Sequence, residues 1–397
     1  MKILITSYWY APAINGVVTS VQNLEQELVK KGHEVKILTI SHDSTSYKRD
    51  NVYYIGSLSL GHLYPHARFP VKSQYKYYDE ILAWNPDIVH SQCEFFTFSI
   101  SVKVAKTLDI PLIHTYHTIY EDYTHYFSPS HTVGKNAVAL FSKKVLTKAD
   151  KVIAPTNKVK DILNGYKVTT DISTVSTGID IDKFRTQQEF KVIQTLRESL
   201  RLKDDRKVLV AIGRIAKEKN LDEIIENFSY IKDEKTILLI VGDGPYRKQL
   251  EEHVIGRNLS KRVIFTGMVS PDDVDKYYAL GDIFVCASNS ETQGLTYIES
   301  LACGLPVVCK EDECIKDVVN NDENGYIFND RKSFLHAISA ILDDKENHKR
   351  LSENARESSE KFSNSSFAKK IINVYEEALE EKMLKSMSYA SIRFEEI

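Results

Sequence analysis

The chain has 397 residues, of which 42% are hydrophobic and 27% charged, and its formal net charge is −3. This composition excludes a disordered protein, and the length exceeds one ordinary core, which predicts two domains. The first 200 residues hold 23 Lys+Arg against 19 Asp+Glu, an excess too weak for a nucleic-acid partner, which would show a strong positive stripe.

The N-terminal segment MKILITSYWYAP predicts a first β-strand at Lys2–Ser7. Its apolar run is short and lacks a small-residue cleavage site, so we expect a first strand here rather than a signal peptide. No apolar run in the chain approaches the ~20 residues of a transmembrane helix. We therefore expect a cytoplasmic protein.

Strands and helices alternate through the first half of the chain. Apolar residues at helical spacing follow the first strand, and Gly32 ends that helix. Strand, helix and strand in succession predict a parallel sheet with right-handed crossovers. Further strands are predicted at Glu34–Thr39, Asp87–His90, Pro111–Thr115 and Lys151–Ala154, and a helix at Lys135–Lys151.

The same alternation restarts at Lys207–Gly213. A helix follows at Asn220–Tyr230, and Thr236–Val241 is almost wholly apolar, as a strand covered on both faces should be. Ser270 and Pro271 read as the N-cap and first position of another helix. A further strand is predicted at Ile283–Ala287, directly before the segment that carries Glu291 and Glu299. The prediction is an α/β protein with two doubly wound domains joined near residues 178–190.

In doubly wound sheets, ligands bind beyond the carboxyl ends of the strands. This rule places the candidate motifs below in one cleft between the two predicted domains. The loops lack G-x-G-x-x-G and G-x-x-x-x-G-K-[ST], which argues against a dinucleotide or P-loop enzyme. The five cysteines form no C-x-x-C pair, and we interpret them as buried, inert thiols.

Several of these strand ends suit a phosphate group. Gly16 precedes a helix whose N-terminal N–H groups can face an anion. Gly213 and Arg214 end a strand, and Lys219 follows before a helix, so the two cations can clamp a diphosphate. Either cation alone is equally compatible with an ordinary loop charge.

The segment SETQGLTYIES, residues 290–300, carries two carboxylates around a helix start. Glu291 lies outside the helix and can accept hydrogen bonds from sugar hydroxyls. Glu299 lies one turn inside and can accept from the two hydroxyls of a ribose, although alone it could be a helix-dipole acid. A sugar nucleotide has a polyol, a diphosphate and a ribose in that order, which matches the two acids and the clamp.

These residues resemble the retaining glycosyltransferases of family 4, which have the GT-B fold, over nearly the whole chain. The motifs are E-x7-E at Glu291 and Glu299, GRIAKEKN at residues 213–220, VGDGP at 241–245 and GIDIDKF at 178–184. YAPAINGVVTSV and HTYHTIYEDYTHYFSP look most like bacterial 1,2-diacylglycerol 3-glucosyltransferases, which make membrane glucolipids.

The resemblance implies roles for individual residues. Glu291 would hold the 3- and 4-hydroxyls of the sugar and Glu299 the ribose of a UDP-sugar. Arg214 and Lys219 would neutralise the leaving diphosphate, together with the N–H of Gly16. The donor-binding backbone would be that of residues 292–295, which includes Thr292, Gly294 and Leu295.

His117 matches the family's essential histidine near the transferred sugar, and it follows a strand's carboxyl end. His114 ranks second and His125 third. Asp180 and Asp182 superficially resemble a D-x-D metal site, but the family carries G-I-D-x-x-x-F there without metal, so we assign no metal and no cofactor beyond the donor substrate.

By this resemblance, residues 1–178 form an acceptor-binding, membrane-facing domain and residues 179–364 a nucleotide-sugar domain, while 365–397 cross back to the first. The expected reaction moves a hexose from a UDP-sugar to a membrane lipid such as diacylglycerol. The alternatives are transfer to a glycolipid, a surface polysaccharide or a protein, and, from another class, epimerisation of a nucleotide sugar.

The lipid acceptor predicts peripheral contact with an anionic membrane surface. Residues 62–82 combine aromatic residues with Arg68, Lys72 and Lys76, and the helix at Lys135–Lys151 adds three lysines beside Leu140 and Phe141. Basic and aromatic residues together suit a membrane interface, although either segment can also be an ordinary solvated face. We further expect the tyrosines between Tyr116 and Tyr126 to line the entry of the acceptor.

Overall fold

The computed structural model describes residues 1–13, 15–59, 68–70, 76–126, 130–186, 188–288 and 290–395, without the side chains at 123, 125, 126, 131 and 389–395. The chain forms two compact units. Unit 1 comprises Met1–Gly178 and Asn364–Ile397, and unit 2 comprises Ile179–Ser363. Among the helices of the described ranges, none combines the length and apolarity needed to span a membrane.

The core of unit 1 is a sheet to which the described residues contribute eight strands, in the order β10-β9-β8-β7-β1-β2-β4-β3. Neighbours are parallel except β3 and β4. A separate antiparallel pair, β5 and β6, lies outside this sheet. The strands are β1 Lys2–Thr6, β2 Glu34–Ile40, β3 Tyr47–Arg49, β4 Val52–Ile55, β5 Ser57–Ser59, β6 Arg68–Pro70, β7 Ile88–Ser91, β8 Leu112–Thr115, β9 Lys151–Ala154 and β10 Ile172–Thr174.

Helices pack against the sheet of unit 1, and the last helix of the chain belongs to this unit. Apolar residues of that helix, among them Ile371 and Tyr375, share a core cluster with Val21 and Leu24 near the N-terminus. The helices are α1 Gly16–Lys30, α2 Tyr78–Trp84, α3 Phe96–Leu108, α4 His131–Leu146, α5 Asn157–Gly165 and, at the C-terminus, α14 Asn364–Glu395, with a 3₁₀ segment at Tyr120–Tyr126.

Unit 2 contains a wholly parallel sheet of six strands within the described chain, in the order β13-β12-β11-β14-β15-β16. The strands are β11 Lys207–Ile212, β12 Thr236–Val241, β13 Val263–Phe265, β14 Ile283–Cys286, β15 Val307–Lys310 and β16 Gly325–Phe328. The helices are α6 Ile181–Arg185, α7 Phe190–Ser199, α8 Leu221–Phe228, α9 Arg247–Gly256, α10 Val274–Tyr278, α11 Leu295–Cys303, α12 Arg331–Leu342 and α13 Lys345–Ser359.

The strand order explains where side chains converge. In unit 2 the order reverses between β11 and β14, and in unit 1 it reverses between β1 and β7. At such a reversal the connecting loops run to opposite sides, which leaves the carboxyl ends of the two strands open to a ligand. The loops that follow β11 and β14, and those that follow β1, β7 and β8, carry the residues singled out from the sequence.

Two helices differ from the sequence prediction. The predicted Lys135–Lys151 is α4, which ends at Leu146, because the Asp150 N–H bonds to Leu112 O and draws the chain into β9. Ser270 does not cap α10, which begins at Val274. The Asp273 N–H bonds to Ser270 O, and the Ser270 hydroxyl accepts from the Asp272 N–H, so these residues form a turn before the helix.

Candidate active site

A glycine sets the geometry of the loop between β14 and α11. Gly294 caps α11 in the left-handed region, with φ +72°. A Cβ at this position would lie 2.4 Å from the Tyr297 ring, so only glycine fits without a shift. The cap brings Glu291 and Thr292 just outside the helix start and leaves Leu295 as its first residue.

Lys219 and Glu291 meet at the carboxyl ends of adjacent strands. Lys219 ends a 3₁₀ turn after β11, and its Nζ lies 2.5 Å from Oε1 of Glu291 after β14. Their side chains are 27% and 13% exposed, so both remain open to a ligand while the surroundings exclude much of the water. A charge-assisted contact of this kind fixes the position of both groups.

Arg214 lies on the same loop but pairs elsewhere. Its guanidinium donates to the Glu218 carboxylate and is half exposed. The loop itself is fixed by contact between two backbones. A Cβ on Gly242 would meet Gly213 O at 2.0 Å, and one on Gly244 would meet Ile215 O at 2.2 Å. Because Gly242 and Gly244 carry no side chain, the backbone of residues 241–245 packs directly against that of residues 213–216.

Glu299 lies one turn inside α11 and is held by a buried tyrosine. The Tyr278 hydroxyl donates to Glu299 Oε2 at 2.8 Å. Burial raises the pKa of the Glu299 carboxyl, while the Tyr278 hydrogen bond and the charge of Lys183 act against this rise. The carboxylate is thus oriented by a fixed hydroxyl.

Two serines beside Glu291 lack hydrogen-bond partners in the part of the chain that the structure describes. Ser288 Oγ and Ser290 Oγ are both buried and unbonded. A buried hydroxyl without a partner is costly, and native structures rarely leave one so. A hydroxyl-bearing ligand next to Glu291 would supply the missing bonds.

His117 follows β8 in unit 1 and is half-buried. Its Nε2 lies 2.6 Å from Gln92 Oε1, in the segment that follows β7. Burial lowers the pKa of His117 to about 4, against the influence of Glu94, so the ring is neutral at neutral pH. A neutral imidazole can accept a hydrogen bond from a hydroxyl and donate another.

The second-ranked histidine lies deeper. His114 is part of β8 and fully buried, with Nε2 3.2 Å from Glu94 Oε1. Its ring packs edge to face on Phe98. Because the side chain is fully buried, it is not exposed to a ligand. The side chain of His125, the third-ranked candidate, is outside the described residues.

The first residue of α1, Gly16, is exposed, as the phosphate hypothesis requires. The Asn15 side chain accepts from the Val18 N–H at 3.0 Å and so caps the helix. The prediction that Tyr116 lines an acceptor entry is wrong. Tyr116 is fully buried in the main core cluster of unit 1, where its hydroxyl meets Ser142 at 3.0 Å.

The first residue of the D-x-D-like pair, Asp180, has a structural role. The Asp180 carboxylate caps α6 by accepting from the Lys183 N–H at 3.1 Å. Within the described ranges, no group of three His, Cys, Asp or Glu side chains is arranged to hold a metal ion. All five cysteines are free thiols, three of them buried: Cys93, Cys309 and Cys314.

Sequence reasoning missed four residues of these sites. Gln92 and Glu94 follow the carboxyl end of β7, and the strand-end rule that singled out His117 would have found them. His90 and Tyr278 carry no such signal, because the His90 partner Tyr375 lies 285 positions away and Tyr278 itself lies in α10, a helix whose start was misplaced.

Residues 14–183 match a family model described as Glycosyltransferase Family 4, and residues 192–358 match one described as Glycosyl transferases group 1. The chain is 34% identical over 346 residues to the alpha-monoglucosyldiacylglycerol synthase of Streptococcus pneumoniae, covering 86% of this chain and 78% of that protein. It is 31% identical over 384 residues to the protein of that name from Acholeplasma laidlawii, covering 94% and 96%.

Among solved structures, Anabaena HepE in complex with UDP and glucose matches with a TM-score of 0.74 at 17% identity. The match covers 95% of this chain and 100% of that one. At this identity the likeness concerns the fold alone. It confirms the predicted α/β fold of the GT-B class.

Proposed function

Because the chain belongs to glycosyltransferase family 4 and is a retaining enzyme that uses a nucleotide sugar, we propose that it transfers glucose from UDP-glucose to diacylglycerol. The product would be an α-glucolipid of the membrane. Membership of the family was predicted from the sequence motifs and is confirmed. The identity of the sugar, the nucleotide and the acceptor belongs to the proposal.

The donor is proposed to bind in unit 2. Glu291 accepts from the 3- and 4-hydroxyls of the sugar, and Glu299 accepts from the ribose hydroxyls. Lys219 and Arg214 neutralise the diphosphate, for which each would exchange its present carboxylate partner. The N–H groups of residues 292–295 add donors at the start of α11. That the Gly16 N–H also donates to the diphosphate remains a prediction.

The proposed chemistry is a substitution at the anomeric carbon with retained configuration. The bond between that carbon and the β-phosphate oxygen breaks, and a bond to the acceptor hydroxyl oxygen forms on the same face. The acceptor proton moves to the departing phosphate oxygen. Negative charge grows on the diphosphate, so Lys219 and Arg214 bind the transition state more tightly than the ground state. His117 is proposed to touch the reacting sugar.

One observation carries the lipid acceptor. The chain matches a protein named alpha-monoglucosyldiacylglycerol synthase over 94% of its own length and 96% of that protein. This coverage includes unit 1, the unit to which we assign the acceptor. A match confined to unit 2 would have supported the donor only.

Helix α4 gives the lipid acceptor a second, physical support. Val133, Leu140 and Phe141 recur along its exposed side, and Leu140 is 71% exposed. Lys144 and Lys148 continue this exposed side at and beyond the end of the helix. Phe141 stacks on the half-exposed ring of Phe95. Apolar side chains with lysines beside them suit insertion into an anionic membrane surface.

The other predicted membrane segment, residues 62–82, receives less support. Lys72 and Tyr75 lie outside the described residues. Arg68 is half-buried and donates to Ser57 through both Nε and Nη2, and Tyr77 is buried. Arg68 and Tyr77 thus pack within unit 1, whereas Phe69 is 63% exposed and Lys76 is exposed. Because α4 presents three exposed apolar side chains against one here, we propose α4 as the membrane-facing element.

A donor–acceptor matrix tests the proposal. UDP-glucose, UDP-galactose and UDP-GlcNAc are each incubated with diacylglycerol, monoglucosyl-diacylglycerol or water, and products are separated by mass. We expect glucosyl-diacylglycerol from UDP-glucose. Product only from the glycolipid would favour the second lipid enzyme. A changed sugar nucleotide without any acceptor would favour the epimerase. No lipid product, with transfer to a soluble glycan or protein, would favour those acceptors.

A further inference from the structure

A chain of hydrogen bonds inside unit 1 ends on His117. The Tyr375 hydroxyl of α14 lies 2.7 Å from His90 Nδ1. On the other side of that ring, His90 Nε2 lies 3.1 Å from Gln92 Nε2. Gln92 Oε1 lies 2.6 Å from His117 Nε2. Tyr375, His90 and Gln92 are all buried.

We infer that Gln92 is a positioning residue that holds His117 in the tautomer with its proton on Nε2. Nδ1 of His117 is then left as a hydrogen-bond acceptor for a hydroxyl. The role of this tautomer in sugar transfer rests on the proposed function. Which nitrogen of His117 carries the proton does not depend on that function.

The structure places the amide nitrogen of Gln92 against His90 and the amide oxygen against His117. The amide nitrogen can only donate, so the His90 Nε2 that it faces is the unprotonated nitrogen of that ring. The His90 proton is therefore on Nδ1 and is donated to the Tyr375 oxygen. Thr115 Oγ1 also lies near this nitrogen, 2.8 Å from His90 Nε2. The amide oxygen is left to face His117.

A carbonyl oxygen can only accept, so a neutral His117 must present Nε2–H to Gln92. Burial keeps this ring neutral by lowering the pKa of His117 to about 4. The ionisable groups that bear on the ring are Glu94 after β7, His114 in β8 and His90 in β7. Glu94 raises the pKa of His117 and His114 lowers it further, and burial outweighs Glu94.

The tautomer can be measured directly on the full-length wild-type protein. A ¹⁵N–¹H multiple-bond spectrum of the histidine-labelled chain reports which ring nitrogen is protonated, and His117→Ala assigns the signal. At pH 7 we expect neutral His117 with Nε2–H. A proton on Nδ1, or an imidazolium at this pH, would overturn the inference without any activity assay.

Gln92→Glu is the second test. It keeps the accepting oxygen but adds a negative charge against His117 Nε2, which should raise the pKa of His117 by about one unit or more. The acid limb of the pH profile of kcat should move upward by that amount. Gln26→Glu, an exposed residue of α1, adds the same charge to unit 1 and should leave the profile in place.

The outcomes separate the two proposals. If the wild-type enzyme transfers glucose and the acid limb of the kcat profile lies at the same pH in Gln92→Glu as in wild type, the role of Gln92 is refuted. A loss of fold in this variant would be seen in its thermal unfolding, and the wild-type spectrum would then decide alone. A wild-type chain that transfers no sugar would refute the proposed function but not the tautomer.

Discussion

Lys219 Nζ lies 2.5 Å from Glu291 Oε1, although the two residues are 72 positions apart in the sequence. The contact joins the loops after β11 and β14, the two strands at which the order of the sheet in unit 2 reverses. The cation assigned to the diphosphate and the acid assigned to the sugar are thus already adjacent. On donor binding, Lys219 would exchange Glu291 for the diphosphate, and Glu291 would turn to the sugar hydroxyls.

Lys219→Ala should lower kcat/KM for the donor by about 10²–10³, the usual effect of removing one preorganised donor to a developing charge, ~3–4 kcal/mol. Both kcat and donor affinity should fall, because charge on the diphosphate is present in the ground state and grows in the transition state. Steady-state kinetics measures this. Lys217→Ala, two residues earlier and exposed, is the control. An unchanged kcat/KM would remove Lys219 from the site.

Glu299→Ala should weaken UDP binding about ten- to a hundredfold, since a hydrogen bond to a charged group contributes roughly 1.5–3 kcal/mol. Calorimetric titration with UDP measures the Kd. Tyr278→Phe removes only the hydroxyl that holds Glu299 Oε2 and should have a smaller effect. Glu311→Ala, an exposed acid of the same unit, is the control. Equal affinities in wild type and Glu299→Ala would refute the ribose assignment.

His117→Ala should abolish transfer while the protein stays folded, because the side chain is half-buried and makes one described contact, to Gln92. His114→Ala should instead lower the free energy of unfolding, by about 1–3 kcal/mol, since it removes one of the buried hydrogen-bond partners of Glu94 and leaves the Tyr120 hydroxyl as the other. Specific activity per folded molecule and thermal unfolding separate the two effects. The opposite ranking would show that the roles of the histidines are exchanged.

The sequence predicted eight of the sixteen strands of the described residues, all inner strands of the two sheets, because inner strands are buried on both faces. Runs such as KVLVAI in β11 and TILLIV in β12 are apolar throughout, which is typical of parallel strands. The strand-end rule then singled out Lys219, Glu291 and His117.

Hydrogen bonds between residues that lie far apart in the sequence could not be predicted from strand and helix patterns. His90 and Tyr375 are 285 positions apart, and only the return of α14 to unit 1 brings them together. Tyr116 shows the opposite error. Its place in a tyrosine-rich segment suggested a surface, but the residue continues β8 into the core, and its N–H bonds to Ile153 O.

Two buried histidines, His117 and His90, should make stability fall as the pH decreases from about 6.5 toward 4. Burial lowers the pKa of His117 to about 4 and that of His90 well below its ordinary value. In this window the unfolded chain binds protons that the folded protein does not, so acid favours unfolding. Urea unfolding at pH 7 and pH 5 measures the difference.

His117→Ala should reduce this pH dependence, because one of the depressed groups is gone. His336→Ala, an exposed histidine of α12, is the matched control and should keep the wild-type dependence. A His117→Ala protein that loses as much stability between the two pH values as wild type would contradict the assignment.

Binding to anionic vesicles should depend on α4. Replacing Lys144 and Lys148 by glutamine should weaken vesicle binding by ~2 kcal/mol, or about 30-fold, since each lysine near an anionic surface contributes about 1 kcal/mol. Sedimentation with phosphatidylglycerol vesicles measures it, and added salt should weaken the wild type in the same way. The control replaces Lys369 and Lys370, two exposed lysines of α14. Equal binding by both double variants would exclude α4.

The most direct test of the account is the product formed from UDP-glucose and diacylglycerol vesicles by the purified wild-type protein. We predict one UDP released for each glucosyl-diacylglycerol formed, with an α-anomeric proton in the NMR spectrum of the product. A β-linked product would contradict retention. Release of UDP without glucolipid, under conditions in which a soluble glycan or protein is glycosylated, would contradict the lipid acceptor.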